Sequence, residues 1–357
     1  MIIGIVLHPY GEDAPAGLGR IILEFTKWMV ANDSDNSYLI FLKEKPKSPL
    51  PFSPGRWKME VLGPGYFWLD RLRYASKADV YIFNTPVMPL FYRPRKSIVV
   101  ALDFAYKYFH DKGIGGFFYS IILGWYHNFS LHRADVIVAI SESTKKDTSS
   151  IFGVSEEKIR VIYPGFTNIC MLPKEKLSLP EKYFLFVGVL KERKNVFGVV
   201  RAFSEFHKKH NNYSLIITGK AKGSYADAVR VYIKETGLDN KVIFQGYLTD
   251  HELAYLYQNA EALVFPSFIE GFGFPVLEAM SCGTPVITSD YSSLMEISRD
   301  AALLVNPYNI GEIVSAMERV ATDEKLHFEL QEKGYRRTQD FSWEKAGKEY
   351  LSLIASL

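Results

Sequence analysis

Short apolar runs return along this chain. Each is stopped by glycine, proline or a polar residue, and most are followed by a stretch with helical spacing. IIGIVL (2–7) ends at His8-Pro9-Tyr10-Gly11, and AGLGRIILEFTKWMV follows with Ile21, Ile22, Phe25, Trp28 and Met29 at helical intervals. YLIFL (38–42), ADVYIF (78–83), KSIVVALD (96–103), ADVIVAIS (134–141) and KIRVIYPGF (159–167) continue the series. Short strands alternating with helical stretches predict a mostly parallel sheet with helices on both faces. LPKEKLSLPEKY (172–183) is polar, carries proline and reads as a linker. The pattern then restarts with FLFVGVL (184–190), YSLIITG (213–219), KVIFQG (241–246), ALVFPS (262–267) and TPVITSD (284–290), and with helical segments at 195–210, 252–260 and 275–280. The expectation is an α/β chain of two doubly wound, Rossmann-like domains, 1–174 and 175–340, whose strand ends face each other across a ligand cleft.

Composition narrows the function classes. A chain of 357 residues, 48% hydrophobic, can bury two such cores. Its 42 basic and 40 acidic residues leave a net charge of +2, which gives no sign of bulk nucleic-acid binding. Cys170 and Cys282 lie far apart in sequence and match no zinc spacing, so a disulfide scaffold is not expected and a reducing, cytoplasmic compartment is. The first residues lack a basic leader and read as a buried strand rather than a signal peptide. The segment GIGGFFYSIILGWYHNF (113–129) is shorter than the ~18–20 apolar residues of a bilayer helix. It admits three readings: a core helix, a membrane-facing or lipid-acceptor surface, or a partner contact.

The strand-to-helix junctions carry the chemistry. Gly17 and Gly19 open a helix after the first strand, which suits either tight packing or backbone approach to a ligand. The full dinucleotide fingerprint is absent. Gly188 ends another strand, and Lys191, Arg193 and Lys194 follow at a helix start, where the helix dipole disfavours positive charge. They are either solvent-facing or the partners of an anion; a guanidinium fork beside a mobile ammonium suits a diphosphate. Ser267 to Pro275 leaves a further strand, and Pro275 suits a first helical turn. Glu270 stands in that loop and Glu278 is expected in the opening turn, so the two do not share a helical face. Glu270 could accept from sugar hydroxyls or steady developing positive charge. Glu278 could accept from a vicinal diol such as ribose, or serve the helix dipole or an ion pair.

These motifs resemble, over nearly the whole chain, the retaining glycosyltransferases of the GT-B fold, family 4, in their mannosyltransferase-like branch. The paired glutamates from Glu270 to Glu278, continuing as AMSCGTPVITSD, carry the resemblance with KVIFQGYLTDHELAYLYQNAEALVFPS, FVGVLKERKN, DVIVAISESTKKD and YPGF. The resemblance implies a nucleotide-sugar co-substrate (GDP-mannose or a UDP-sugar) in the second domain and a saccharide or lipid-linked saccharide acceptor in the first. It implies that Glu278 holds the ribose and that Arg193 and Lys194 neutralise the diphosphate. Gly17 and Gly19 would close over that diphosphate, and Gly188 would give the backbone room. Glu270 and the backbone N–H groups of Gly271, Phe272 and Gly273 would contact the transferred sugar, with Tyr247 and Leu248 near the base. No tightly bound cofactor or metal is implied, since no Asp-x-Asp run demands one and the Lys/Arg pair with amide dipoles can take the metal's electrostatic role. The last segment, 341–357 with Trp343, is expected to be a helix that crosses back onto the first domain, and 292–307 to line the donor site's outer edge.

One departure stands out. Many relatives carry His-Asp after the strand that leads into the cleft, whereas VVALDFAYKY places Leu102 at the histidine and keeps Asp103. Leucine neither accepts nor donates a hydrogen bond. Asp103 or Tyr106 would then substitute, with His8 and His110 as further candidates. Metal-independent transfer of a hexose, GDP-mannose favoured, is the reading, with peripheral contact at the cytoplasmic membrane face through 113–129. The alternatives are a non-catalytic nucleotide-sugar or glycan-binding protein, a GT-B epimerase or phosphorylase, and a dinucleotide oxidoreductase.

Overall fold

The computed structural model describes residues 1–8, 18–109 and 114–357. The chain divides into two compact units, one of residues 1–165 with 341–357 and one of 166–340.

The first unit holds seven strands: β1 (Ile2–Val6), β2 (Ser37–Leu42), β3 (Trp57–Val61), β4 (Val80–Phe83), β5 (Ser97–Ala101), β6 (Val136–Ala139) and β7 (Ile159–Val161). They lie in the order β3-β2-β1-β4-β5-β6-β7, every pair parallel. Parallel neighbours need crossovers, supplied among others by the helices α1 (Leu18–Asn32), α2 (Ile114–Arg133) and α3 (Glu142–Phe152). β4 and β5 are buried along their whole length, which is why they read as unbroken apolar runs. The order reverses between β1 and β4, and there the buried amide of Asn84 donates to the Val6 carbonyl at 3.0 Å. Phe25 of α1 packs its ring 4.3 Å from that of Tyr350 in the terminal helix, so 341–357 is part of this unit.

The second unit holds six strands: β8 (Tyr183–Val187), β9 (Ser214–Thr218), β10 (Val242–Gly246), β11 (Ala262–Phe265), β12 (Val286–Ser289) and β13 (Leu303–Val305). Their order is β10-β9-β8-β11-β12-β13, again all parallel. The helices are α4 (Val196–His207), α5 (Ser224–Glu235), α6 (Asp250–Asn259), α7 (Phe274–Ser281), α8 (Ser292–Ser298), α9 (Ile310–Thr322) and α10 (Glu324–Thr338), and α11 (Trp343–Ser356) returns to the first unit. Both units are Rossmann-like, as the α/β reading expects of each. The stretch 172–183, expected as a linker, belongs to the second unit, with Leu172, Leu177 and Leu179 packed on its core.

One expectation is corrected, and one open reading is narrowed. Cys170 and Cys282, separated by 112 residues, are paired as a disulfide with Cα atoms 5.3 Å apart. The fold brings together what sequence distance kept apart. And α2 is not a core helix on its apolar side: Phe117, Phe118, Ile122 and Trp125 are exposed. Among the described residues no helix is long and apolar enough to cross a membrane.

Candidate active site

In the second unit the strand order reverses between β8 and β11. Loops leaving the carboxyl ends of two such strands diverge to opposite sides and open a crevice, the usual ligand position in a doubly wound sheet. The loop after β8 carries Gly188, Arg193 and Lys194, and the loop after β11 carries Glu270 to Gly273.

The first loop is shaped by close backbone approach. Gly188 donates to the Thr218 carbonyl at 2.9 Å, and a Cβ on Gly219 would stand 2.2 Å from the Gly188 carbonyl oxygen. No side chain fits there. A 3-10 turn over Glu192–Lys194 then hands over to α4 at Asn195, which adopts a left-handed φ of 55°. Its buried amide nitrogen donates to the carbonyls of Pro266 at 3.1 Å and Pro307 at 2.7 Å. The Arg193 carbonyl accepts from Phe268 N–H at 2.9 Å. The basic turn is thereby fastened to the end of β11.

The second loop turns its carboxylate onto that basic turn. Glu270 is 8% exposed, with Oε2 3.0 Å from Arg193 Nη1 and Oε1 2.6 Å from Lys194 Nζ. Burial alone would push its pKa up. The charges of Lys194 and Arg193 outweigh that and hold it below the usual carboxylate range. A guanidinium and an ammonium thus converge on one buried carboxylate. Neither α4 nor α7 has a side-chain N-cap, so each start keeps an electropositive end.

Ser292 and Ser293 hold the loop from beneath. Both hydroxyls donate to the Glu270 carbonyl at 2.8 Å, and that of Ser293 lies 2.8 Å from the Phe272 carbonyl. Gly273 has a φ of 122°, and a Cβ there would meet Leu294 at 2.7 Å. The positive φ is what calls for glycine here. Glu278 is the fifth residue of α7, just past the opening turn expected for it, and its Oε2 accepts from the buried Tyr257 hydroxyl at 3.1 Å. Tyr247 and Leu248 follow β10 at the sheet edge, Tyr247 being exposed.

In the first unit Leu102 is buried and Asp103 Oδ1 accepts from Ala105 N–H at 3.1 Å. Tyr106 shares a 2.9 Å hydrogen bond with Nδ1 of His127. Burial, then the Asp103 charge, push the Tyr106 hydroxyl pKa well up. Gly19 is the second residue of α1, while Gly17 and His110 lie outside the described residues. His8 packs edge-on to Trp68 at 5.0 Å, and its pKa is lowered by burial and Lys43. One Asp-x-Asp run does occur, Asp33-Ser34-Asp35, but Asp33 is taken up by Asn36, Tyr38 and the Asp35 N–H in a turn.

The structure thus joins Arg193, Lys194 and Glu270 directly. Asn195 and Tyr257 are supporting residues that sequence reasoning passed over, while Ser292 and Ser293 open the segment 292–307 expected at the donor site's edge without having been singled out. Asn195 alone left a signal, as the residue closing the basic turn just before an apolar helix.

Comparison with known proteins follows the same division. The family model Glycosyltransferase Family 4 matches residues 17–167, and Glycosyl transferases group 1 matches 171–337. The serotype-specific mannosyltransferase WbdA of Escherichia coli is 30% identical over 59% of this chain, a match spanning only 27% of that protein's own length. The O-antigen chain mannosyltransferase B of Escherichia coli is 27% identical over 79% of this chain and 70% of its own. Among solved structures, Anabaena HepE in complex with UDP-glucose superposes with a TM-score of 0.76, covering 100% of both chains at 17% identity. Matched in both halves, the chain belongs to glycosyltransferase family 4, the glycosyl transferases group 1 proteins with the GT-B fold.

Proposed function

We propose that the protein is a retaining glycosyltransferase that moves a hexose from a nucleoside-diphosphate sugar, GDP-mannose in the first instance, to a glycan or lipid-linked saccharide. The observation that carries this is the pair Arg193 and Lys194 closing on one buried carboxylate at the sheet's switch point. A guanidinium beside an ammonium and two uncapped helix starts favour a diphosphate. As the sugar–phosphate bond breaks, negative charge grows on the leaving oxygen, and these groups are already in place to receive it. Glu270, kept ionised by the same cations, would contact the sugar. Glu278, its carboxylate oriented by Tyr257, would accept from the ribose diol. The two cations would stand in for a divalent ion.

The mannosyltransferase names of both relatives favour mannose as the hexose, an argument by analogy. The UDP-glucose in HepE supports the donor class. The test is binding of GDP-mannose, UDP-glucose, UDP-N-acetylglucosamine and ADP-glucose to the purified protein, without metal and then with magnesium. One tight binder without metal is expected. Binding that appears only with magnesium would overturn metal independence, and no binding at all would overturn the donor site.

A second reading rests on Leu102, buried and with a side chain unable to hydrogen-bond, at the position where the family resemblance implies histidine. It makes the chain a nucleotide-sugar-binding protein without transfer. Donor hydrolysis or transfer that is lost in Glu270→Gln would exclude it.

A further inference from the structure

The apolar side of α2 is its outward side. Ser120, Gly124, His127 and Leu131 recur at helical spacing and are buried. The opposite stripe is Phe118, Ile122, Trp125 and Phe129, and its first three residues are 58%, 65% and 59% exposed. A helix that serves only a core is patterned the other way round.

The stripe continues into two further segments of the same unit. Trp125 stacks on Phe129 with centroids 5.9 Å apart, and the Arg133 guanidinium lies 5.2 Å from the Phe129 ring. Arg133 also donates to the Leu90 carbonyl at 2.9 Å. The next residue, Phe91, is 68% exposed, sets its ring 5.6 Å from Phe67, and offers its carbonyl to Arg73 at 2.7 Å. Beneath them the carboxylate of Asp70 accepts from the backbone N–H groups of Leu90, Phe91 and Tyr92. The Tyr126 hydroxyl donates to Met88 carbonyl at 2.7 Å. Helix, loop and 3-10 turn are therefore one fixed platform of exposed rings bordered by guanidinium groups.

Charge selects the occupant. Segments 66–74, 87–96 and 114–133 carry Arg71, Arg73, Arg93, Arg95, Lys96 and Arg133 against a single carboxylate, the inward-turned Asp70. A second copy docked through the same three segments would bring two sets of arginines together, with only the inward-turned Asp70 among those segments' carboxylates. Aromatic rings interleaved with arginine suit the headgroup level of an anionic bilayer, where apolar bodies enter the acyl boundary and guanidinium groups meet phosphates. We propose that this face of the first unit rests on an anionic membrane surface, with the Trp125 stripe among the lipid headgroups. The inference extends the proposed function, since it would bring the unit to where a lipid-linked acceptor lies, but its test needs no transfer.

The test is co-sedimentation of the full chain with vesicles of phosphatidylcholine alone and of an equimolar mixture with phosphatidylglycerol. Binding to the mixed vesicles is expected to be about tenfold or more tighter and to weaken with salt. The double variant Ile122→Ser, Trp125→Ser removes two exposed side chains without touching the core and should lose about 30-fold in binding. Arg73→Gln should weaken binding to the mixed vesicles only. Nucleotide binding, measured on the same samples, should be unchanged in all of them; a wild type that binds lipid but no nucleotide sinks the transfer reading and leaves this one standing. Equal sedimentation of wild type and double variant overturns the proposal. So does a wild-type dimer that binds no vesicles and that the double variant dissociates, which would assign the face to a second copy.

Discussion

Lys194 places its ammonium nitrogen 2.6 Å from Oε1 of Glu270 while lying 4.8 Å from the centroid of the Phe265 ring. The carboxylate proposed to contact the sugar is thus also the counterion of the groups proposed to take the diphosphate. A donor entering the site would meet an existing pair and compete with Glu270 for both cations.

Glu270→Gln should therefore act on the empty protein and on the loaded one in opposite directions. Without ligand, two partly buried cations lose their counterion, at a cost of about 3 kcal/mol. A nucleoside diphosphate should then raise the melting temperature of the variant more than that of the wild type. Transfer should fall about 100-fold or more. The acid limb follows from the sign of the shift. A folded pKa below the unfolded one gives stability that is complete above the unfolded value and lost as pH falls through the folded one. The stability gap between wild type and Glu270→Gln should be full at neutral pH and close only below the ordinary carboxylate range. Thermal unfolding of both proteins across that range checks it; a gap that stays constant into acid contradicts the pairing.

Lys194→Ala removes the shorter of the two contacts. The nucleoside diphosphate should bind about tenfold or more weakly, the usual worth of a charge-assisted hydrogen bond. Lys191, three residues earlier and exposed, serves as the control, and Lys191→Ala should bind as the wild type does. Calorimetric titration separates them, and equal affinity in both variants would make Lys194 ordinary surface charge.

Asn195 is asked for two things at once, a left-handed backbone and an amide that reaches two carbonyls. Asn195→Gly keeps the first and loses the second. Asn195→Ala loses both. Both variants should be destabilised, by about 1–3 kcal/mol for the carbonyls left unsatisfied, and the alanine variant by about 1 kcal/mol more. Denaturant unfolding reads the order directly, and an alanine variant as stable as the glycine variant would deny the backbone its part.

Much of this architecture is legible in the sequence, for a definite reason. Strands such as Val80–Phe83 and Ser97–Ala101 are covered on both faces and read as unbroken apolar runs. The edge strand Trp57–Val61 is half-exposed, and Leu303–Val305 has three residues, so neither leaves such a run. Arg193, Lys194 and Glu270 announce themselves by charge placed beside glycine. Ser292, Ser293 and Tyr257 do not, because a hydroxyl that holds a carbonyl or a carboxylate looks in sequence like any surface hydroxyl. The helix Ile114–Arg133 is the clearest limit. Hydrophobicity marks a face but not the side on which the rest of the protein lies, and here the small and polar residues face inward.

His127 offers a pH test within the first unit alone. It is 7% exposed, and burial, then the Lys107 charge, lower its pKa to about 4. The unfolded chain takes up a proton near the ordinary imidazole value, whereas the folded one resists until about 4. Stability is therefore full above the unfolded value and falls as pH drops from there toward the folded one, by up to about 3 kcal/mol. His127→Gln keeps a polar partner for the Tyr106 hydroxyl but cannot titrate in this range. Its stability should lack that part of the slope, so the wild type should lose more than the variant between neutral pH and about 4. Parallel pH–stability curves for the two proteins would mean that His127 is hydrated and titrates in the folded state as freely as in the unfolded chain.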